Sequence, residues 1–160
     1  MNTFKFAARH VLVCLGWLPA LWFASAHAED RAGGVAATPL YQQECGACHL
    51  AFPPGMLPAS SWQRLMANLP RHFGVDASLE PAALSALSPW VASHAGTLRR
   101  ISENPPDDRI TRSPWYLRQH REVGAEVWKR ASIRSASNCV ACHAGAEKGD
   151  FDEDAVRIPK

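Results

Sequence analysis

Cys45-Gly46-Ala47-Cys48-His49 and Cys139-Val140-Ala141-Cys142-His143 decide how this chain is read. Each is a C-x-x-C-H run, the attachment signature of c-type haem. The spacing has a chemical reason. Two thiols on one helical turn reach the two vinyl groups of one porphyrin as thioethers, and the histidine that follows, on the same face, offers Nε2 to the iron. A four-cysteine zinc site, two disulfides or a thioredoxin-like redox pair would use the cysteines but gives no reason for a histidine after each pair. Chance supplies both histidines about once in a thousand. Cys45, Cys48, Cys139 and Cys142 are therefore the expected thioether positions of two covalent haems c, with His49 and His143 as proximal ligands.

The fifth cysteine, Cys14, lies in an N-terminal stretch that reads as an export signal. Lys5 and Arg9 precede an apolar run from Val11 to Phe23, and Ala26-His27-Ala28 is a small-x-small cleavage site. About a dozen apolar residues are too few to span a ~30 Å hydrocarbon layer. The expected organisation is a signal peptide over 1–28 and one dihaem domain over 29–160, located in the periplasm. Export suits haem attachment, which in bacteria takes place outside the cytoplasm. The formal charge of +2 resides in Lys5 and Arg9, so residues 29–160 carry 15 basic and 15 acidic side chains. Two propionates per haem then make the holoprotein slightly acidic, which excludes nucleic acid as a partner, since that needs a net basic footprint.

Between the motifs the pattern is that of an all-α, loop-rich small c-type cytochrome domain built around two covalent haems. No long stretch alternates with period two. Ser60-Ser61-Trp62-Gln63 resembles a capping box, and Trp62, Leu65, Met66 and Leu69 follow at helical spacing. Gly74 is expected to close that segment. Glu80-Pro81 reads as N-cap and first turn of a helix carrying Leu84, Leu87, Trp90 and Val91, which Pro89 should kink or split. Residues 102–113, with Pro105-Pro106, read as a linker. Ser113-Pro114 should open a helix through Trp115, Leu117 and His120 that runs past Gly124 to Trp128. Asn138 is the expected N-cap of the second motif. Trp62, Trp90, Trp115 and Trp128 read as flat apolar walls. With about 66 residues per haem, the macrocycles must supply much of the core.

Two histidines of residues 29–160 follow cysteine pairs, which leaves His72, His94 and His120, with Met56 and Met66, for the far side of each iron. Met56 lies seven residues beyond His49, a reach of at most ~24 Å that would need an almost straight chain. Pro53-Pro54-Gly55 favours a turn instead, so Met56 is rejected for the first haem. Met66 fits the apolar stripe of its helix. His72 and His120 each flank a short amphipathic stretch with aromatic neighbours. His94, at a helix end, suits a bond to the last carbonyls, and it stays open as a ligand.

The run Cys45 to Trp62, the segment His72-Phe73-Gly74-Val75-Asp76-Ala77-Ser78-Leu79, Ser113-Pro114-Trp115 leading to His120-Arg121-Glu122, and Asn138 to His143 together resemble the bacterial dihaem cytochrome c family. Gly149-Asp150-Phe151 and Ile158-Pro159 match as well, so the resemblance spans about 39 to 159. Pro70 departs from the pattern and should break the helix leading into His72. The resemblance implies bis-histidine ligation of both haems, through His49, His72, His120 and His143, and low-potential electron transfer. It also implies a redox partner such as an oxygen-binding monohaem c-type cytochrome or membrane cytochrome b. Sequence separation favours His49 with His72 and His120 with His143, both 23 residues apart, because short loops cost less closure entropy.

An electron carrier is expected in preference to a haem enzyme or gas binder, which needs an open or displaceable axial site. Dihaem peroxidases are much longer two-domain chains. Residues 99–134 hold nine basic and five acidic side chains, a local +4, and 135–160 hold three and five, a local −2. Segregated in this way, the charges would steer a small redox partner. Intact-mass measurement of the mature protein should show two added haems that survive acid-acetone extraction. One haem, or zinc in place of haem, would remove the reading.

Overall fold

The computed structural model describes residues 37–96, 101 and 103–160, so the signal expected at 1–28 lies outside the described residues. Helices and turns make up the described chain, and its nearest approach to a strand is an isolated bridge between His72 and Val75. Helix α1 is Pro39–Cys45, α2 is Ala59–Ala67, α3 is Pro81–Ser93 and α4 is Pro114–Gln119. Short 3-10 turns join them, including Leu69–Arg71, Val127–Lys129 and Cys139–Ala141.

The first half builds the main core. Tyr41 of α1, Trp62 and Met66 of α2, and Leu87 and Val91 of α3 close on Ala51, Leu57 and Ala95. Fully burying side chains of this size contributes about 1.5–3 kcal/mol each. Two hydrogen bonds fix the Pro-rich segment after the first motif against that core. The Tyr41 hydroxyl donates to the Phe52 carbonyl at 2.5 Å, and Trp62 Nε1 donates to the Pro54 carbonyl at 2.7 Å. Gly96 completes the clamp, its N–H donating to Leu57 O at 2.8 Å, and a β-carbon there would collide with the Gly55 carbonyl. That close approach demands glycine.

The second half buries less. Tyr116, Val127, Ile133 and Ala146 are its buried apolar residues after Ile101. Tyr116 repeats the part of Tyr41, donating its hydroxyl to the Ala136 carbonyl at 2.8 Å, just ahead of the second motif. The chain end folds back over that motif through Arg157 N–H to Cys142 O at 3.0 Å and Arg130 Nη1 to Pro159 O at 2.7 Å. The halves meet through Trp115 Nε1, which donates to Met56 O at 3.3 Å, and through a polar strap on α2. In the strap Arg64 grips Asp108 with two donors, at 2.6 and 2.9 Å, while the hydroxyls of Ser60 and Ser61 donate to Asn104 Oδ1. The guanidinium holds the Asp108 carboxyl below the usual carboxylate range.

Several boundaries differ from expectation. The capping box is not formed: α2 starts two residues earlier, on Pro58 as N-cap, and Ser60 and Ser61 turn to Asn104. Helix α3 is not split at Pro89. The N–H that proline lacks would have met Ser85, and both residues are exposed, so water can take the carbonyl. Helix α4 stops at Gln119, far short of Trp128, because the His120 ring folds back on the Tyr116 carbonyl and caps the helix. Asn138 precedes the second motif but does not cap it, and its Nδ2 donates to Ile133 O at 2.9 Å. Pro70 does end helical structure: α2 closes at Ala67 and the chain continues into the 3-10 turn.

Leu87 is 2 % exposed between α2 and α3. Leu87→Ala should cost about 3 kcal/mol in denaturant unfolding of the holoprotein. Ser85→Ala, on the exposed face of the same helix, should stay within about 0.5 kcal/mol.

Candidate functional site

The first motif begins where α1 ends. Cys45 is the last helical residue, Gly46 N–H donates to Gln42 O at 2.9 Å, and a tight turn carries Cys48 and His49 outward. A β-carbon on Gly46 would collide with that same carbonyl. The second motif is a 3-10 turn closed by His143 N–H to Cys139 O at 2.8 Å. All four thiols are free. Burial pushes Cys45 up to about 11, helped by Glu44, and burial likewise pushes Cys139 up to about 11. A thioredoxin-type pair uses a depressed thiol pKa, and Cys45 and Cys139 are shifted the other way.

The four histidines come together as two pairs. The His49 and His72 ring centroids lie 6.1 Å apart with planes 22° from parallel. The His120 and His143 centroids lie 6.2 Å apart with planes at 72°. Each pair carries aromatic support. Phe52 lies 5.2 Å from His49 and Phe73 4.7 Å from His72. Tyr116 stacks on His120 at 4.0 Å with Trp128 beyond it at 5.8 Å, and Phe151 lies 5.4 Å from His143.

An imidazole shows one nitrogen to a metal when its other nitrogen is held as a donor. His49 Nδ1 lies 2.7 Å from the Leu50 carbonyl, and His120 Nδ1 lies 2.9 Å from the Tyr116 carbonyl. A carbonyl only accepts, so both rings carry hydrogen on Nδ1 and keep the Nε2 lone pair. The Nδ1 atoms of His72 and His143 are buried without a partner. Burial lowers the pKa of both, with His49 and Arg109 adding to the effect on His72 and His120 on His143. The neutral imidazole, the form that can donate to a metal, is favoured in each. Beside His72 opens a cleft of about 490 Å³ lined by Arg64, Leu65, Asn68, Arg71 and Phe73.

The remaining candidates lie elsewhere. His94 caps α3, with Nδ1 2.7 Å from the Trp90 carbonyl and its ring 4.8 Å from Trp90, and no histidine ring pairs with it among the described residues. Met66 packs in the main core, and Met56 is 4 % exposed.

The pattern of dihaem cytochrome c matches residues 41–151. The chain belongs to that family. Solved relatives of this dihaem cytochrome c include the dihaem cytochrome c of Shewanella baltica OS155, 37 % identical over 76 % of this chain and 92 % of that one, with a TM-score of 0.67. A second, purified from Rhodobacter sphaeroides, is 42 % identical over 73 % of this chain and 99 % of that one, with a TM-score of 0.63. No curated protein matches it. The all-α, loop-rich fold and the two c-type haems expected from the sequence both stand.

The residues present fit two such groups. Imidazoles bonding one metal from opposite sides, at about 2 Å each, bring their ring centroids to about 6 Å. The separations of 6.1 and 6.2 Å meet that requirement. Sequence reading missed the carbonyls that orient the rings. Tyr116 could have been found, since it lies four residues before His120 in a helix. Phe52 and Phe151 carried no such signal, nor did Arg109, whose guanidinium covers the Phe73 ring at 4.3 Å. Tyr116→Phe removes the bond to Ala136 but keeps the stack on His120. It should cost about 1 kcal/mol of stability and leave the haem absorption spectrum unchanged.

Proposed function

We propose that this dihaem cytochrome c is a periplasmic, low-potential electron carrier in which both irons are held by two histidines. The observation that carries the reading is the pair of ring separations, 6.1 Å for His49 with His72 and 6.2 Å for His120 with His143. Cys45 and Cys48 tether one haem as thioethers, and Cys139 and Cys142 tether the other. Each haem supplies an iron that gains and loses one electron. The chain's own residues do the rest. His49 and His120 are locked in the tautomer that exposes Nε2, Tyr116, Trp128, Phe52 and Phe151 wall the rings, and burial keeps His72 and His143 neutral. Two imidazoles give a lower potential than imidazole with thioether, because the thioether is what raises it. Histidines enough for both irons favour electron transfer over catalysis.

The partner proposed is another exported haem protein, such as an oxygen-binding monohaem c-type cytochrome, with membrane cytochrome b on the other side of the transfer. Arg118, Lys129 and Arg134 are exposed on the basic stretch and suit docking of an acidic surface. No described helix is long and apolar enough to cross a membrane. Periplasmic residence rests on the signal reading of 1–28.

Electron paramagnetic resonance of the ferric protein tests the ligand set and tells the haems apart. Near-parallel imidazole planes act on the same iron d orbital and split the pair, whereas crossed planes act on both and nearly cancel. The His49–His72 haem should give a rhombic low-spin signal, and the His120–His143 haem one with a larger maximum g value. His120→Ala should abolish the second signal alone, and His94→Ala should change neither. A high-spin signal in the unmodified protein, or loss of a signal in His94→Ala, overturns the assignment.

A further inference from the structure

Four imidazoles hold the two irons on the reading above, and they are not held equally. His49 has both a thioether neighbour, Cys48, and a hydrogen bond from Nδ1 to Leu50 O at 2.7 Å. His143 has no Nδ1 partner, but the thioether at the adjoining Cys142 would keep its ring beside the iron even when the bond opens. His120 has no thioether beside it, but its Nδ1 is fixed to Tyr116 O at 2.9 Å and its ring is stacked on Tyr116. His72 has neither restraint.

The backbone around His72 points the same way. It ends a three-residue turn, and Phe73 follows at φ 50°, a left-handed conformation that is costly for a bulky side chain. Gly74 follows at φ 100°. The His72 backbone is held by its N–H to Leu69 O and by Val75 N–H to His72 O, both at 3.1 Å, but what holds the ring is packing: the Phe73 ring lies against it at 4.7 Å, under the Arg109 guanidinium at 4.3 Å. Arg109 is stationed there by its neighbour Asp108, which Arg64 grips. His72 also lines the cleft of about 490 Å³ beside Phe73.

We infer that His72 is the one exchangeable axial ligand, and that the haem on His49 takes up a small neutral diatomic π-acceptor such as carbon monoxide or nitric oxide in its place. The step is a plain ligand substitution. The bond from iron to His72 Nε2 breaks, a bond to the incoming ligand forms, and the ferrous iron keeps its oxidation state. The imidazole leaves neutral, so no proton moves. Phe73 and Arg109 are positioning residues that set how often His72 lets go.

The inference rests on bis-histidine ligation, and carbon monoxide titration of the reduced holoprotein separates the two. A high-spin ferrous spectrum before the gas is added would sink the ligation reading itself. Two low-spin haems should then convert to one carbon monoxide adduct per protein. The His72→Ala variant should also bind one, without the slow step. Had the exchangeable haem been the other, that variant would bind two, and the assignment to His72 would fall. No uptake by the unmodified protein, or uptake at both haems, would likewise overturn it. Phe73→Ala should speed uptake about ten-fold, in line with loss of an aromatic and cation–π contact, and Phe73→Trp should restore the slow rate. Equal rates in all three proteins would remove Phe73 from this role.

Discussion

The approach of His49 to His72, and of His120 to His143, is the constraint on which the rest of the structure depends. The members of each pair lie 23 residues apart in sequence, and no hydrogen bond joins their rings. Separations of 6.1 and 6.2 Å must therefore be imposed from outside. The two buried tyrosines take much of that task. Tyr41 anchors the segment after the first motif and Tyr116 the segment before the second, each through its hydroxyl and a backbone carbonyl. A buried phenol left without an acceptor would be costly, so each bond also fixes where its helix can sit. Around the first pair the α2–α3 core adds rigidity. Around the second, aromatic rings and the returning chain end stand in for a core.

The two halves run in opposite order. In the first, the cysteine motif precedes the other histidine of the pair, and in the second it follows. The same separation in sequence is bridged by different means: helix α2 flanked by two 3-10 turns between 49 and 72, successive 3-10 turns between 120 and 143. What repeats is therefore a set of contacts and not a supersecondary motif.

Much of this was legible in the sequence. The cysteine motifs carry their own chemistry, and apolar spacing located α2 and α3, with Trp62, Met66, Leu87 and Val91 in the core. The two histidine pairs that the structure brings together are those of equal, short separation. Other features were hidden for physical reasons. Pro89 sits inside α3 because its face is solvated, which one residue's propensity does not reveal. His120 ends α4 through its own side chain, and helical periodicity carries no trace of such a bond. The Arg109–Phe73 contact joins residues from separate halves and depends on a left-handed Phe73, for which no local pattern speaks. Ser60 and Gln63 had the spelling of a cap, but Asn104 competed for the hydroxyl and won.

The seam between the halves is thin. The main buried cluster is drawn from residues 41–95, and among the described residues that follow it Ile110 alone packs on it, while Tyr116, Val127, Ile133 and Ala146 belong to the other side. What spans the gap is largely polar: Trp115 to Met56, Arg64 to Asp108, Ser60 and Ser61 to Asn104. Polar contacts of this kind are worth little in water beside a shared apolar core. Side chains alone give each half its own apolar cluster, so the two haems, which supply much of the core of so short a chain, bear on whether the halves open together. A melting temperature then belongs to the polypeptide and its haems together, not to the polypeptide alone.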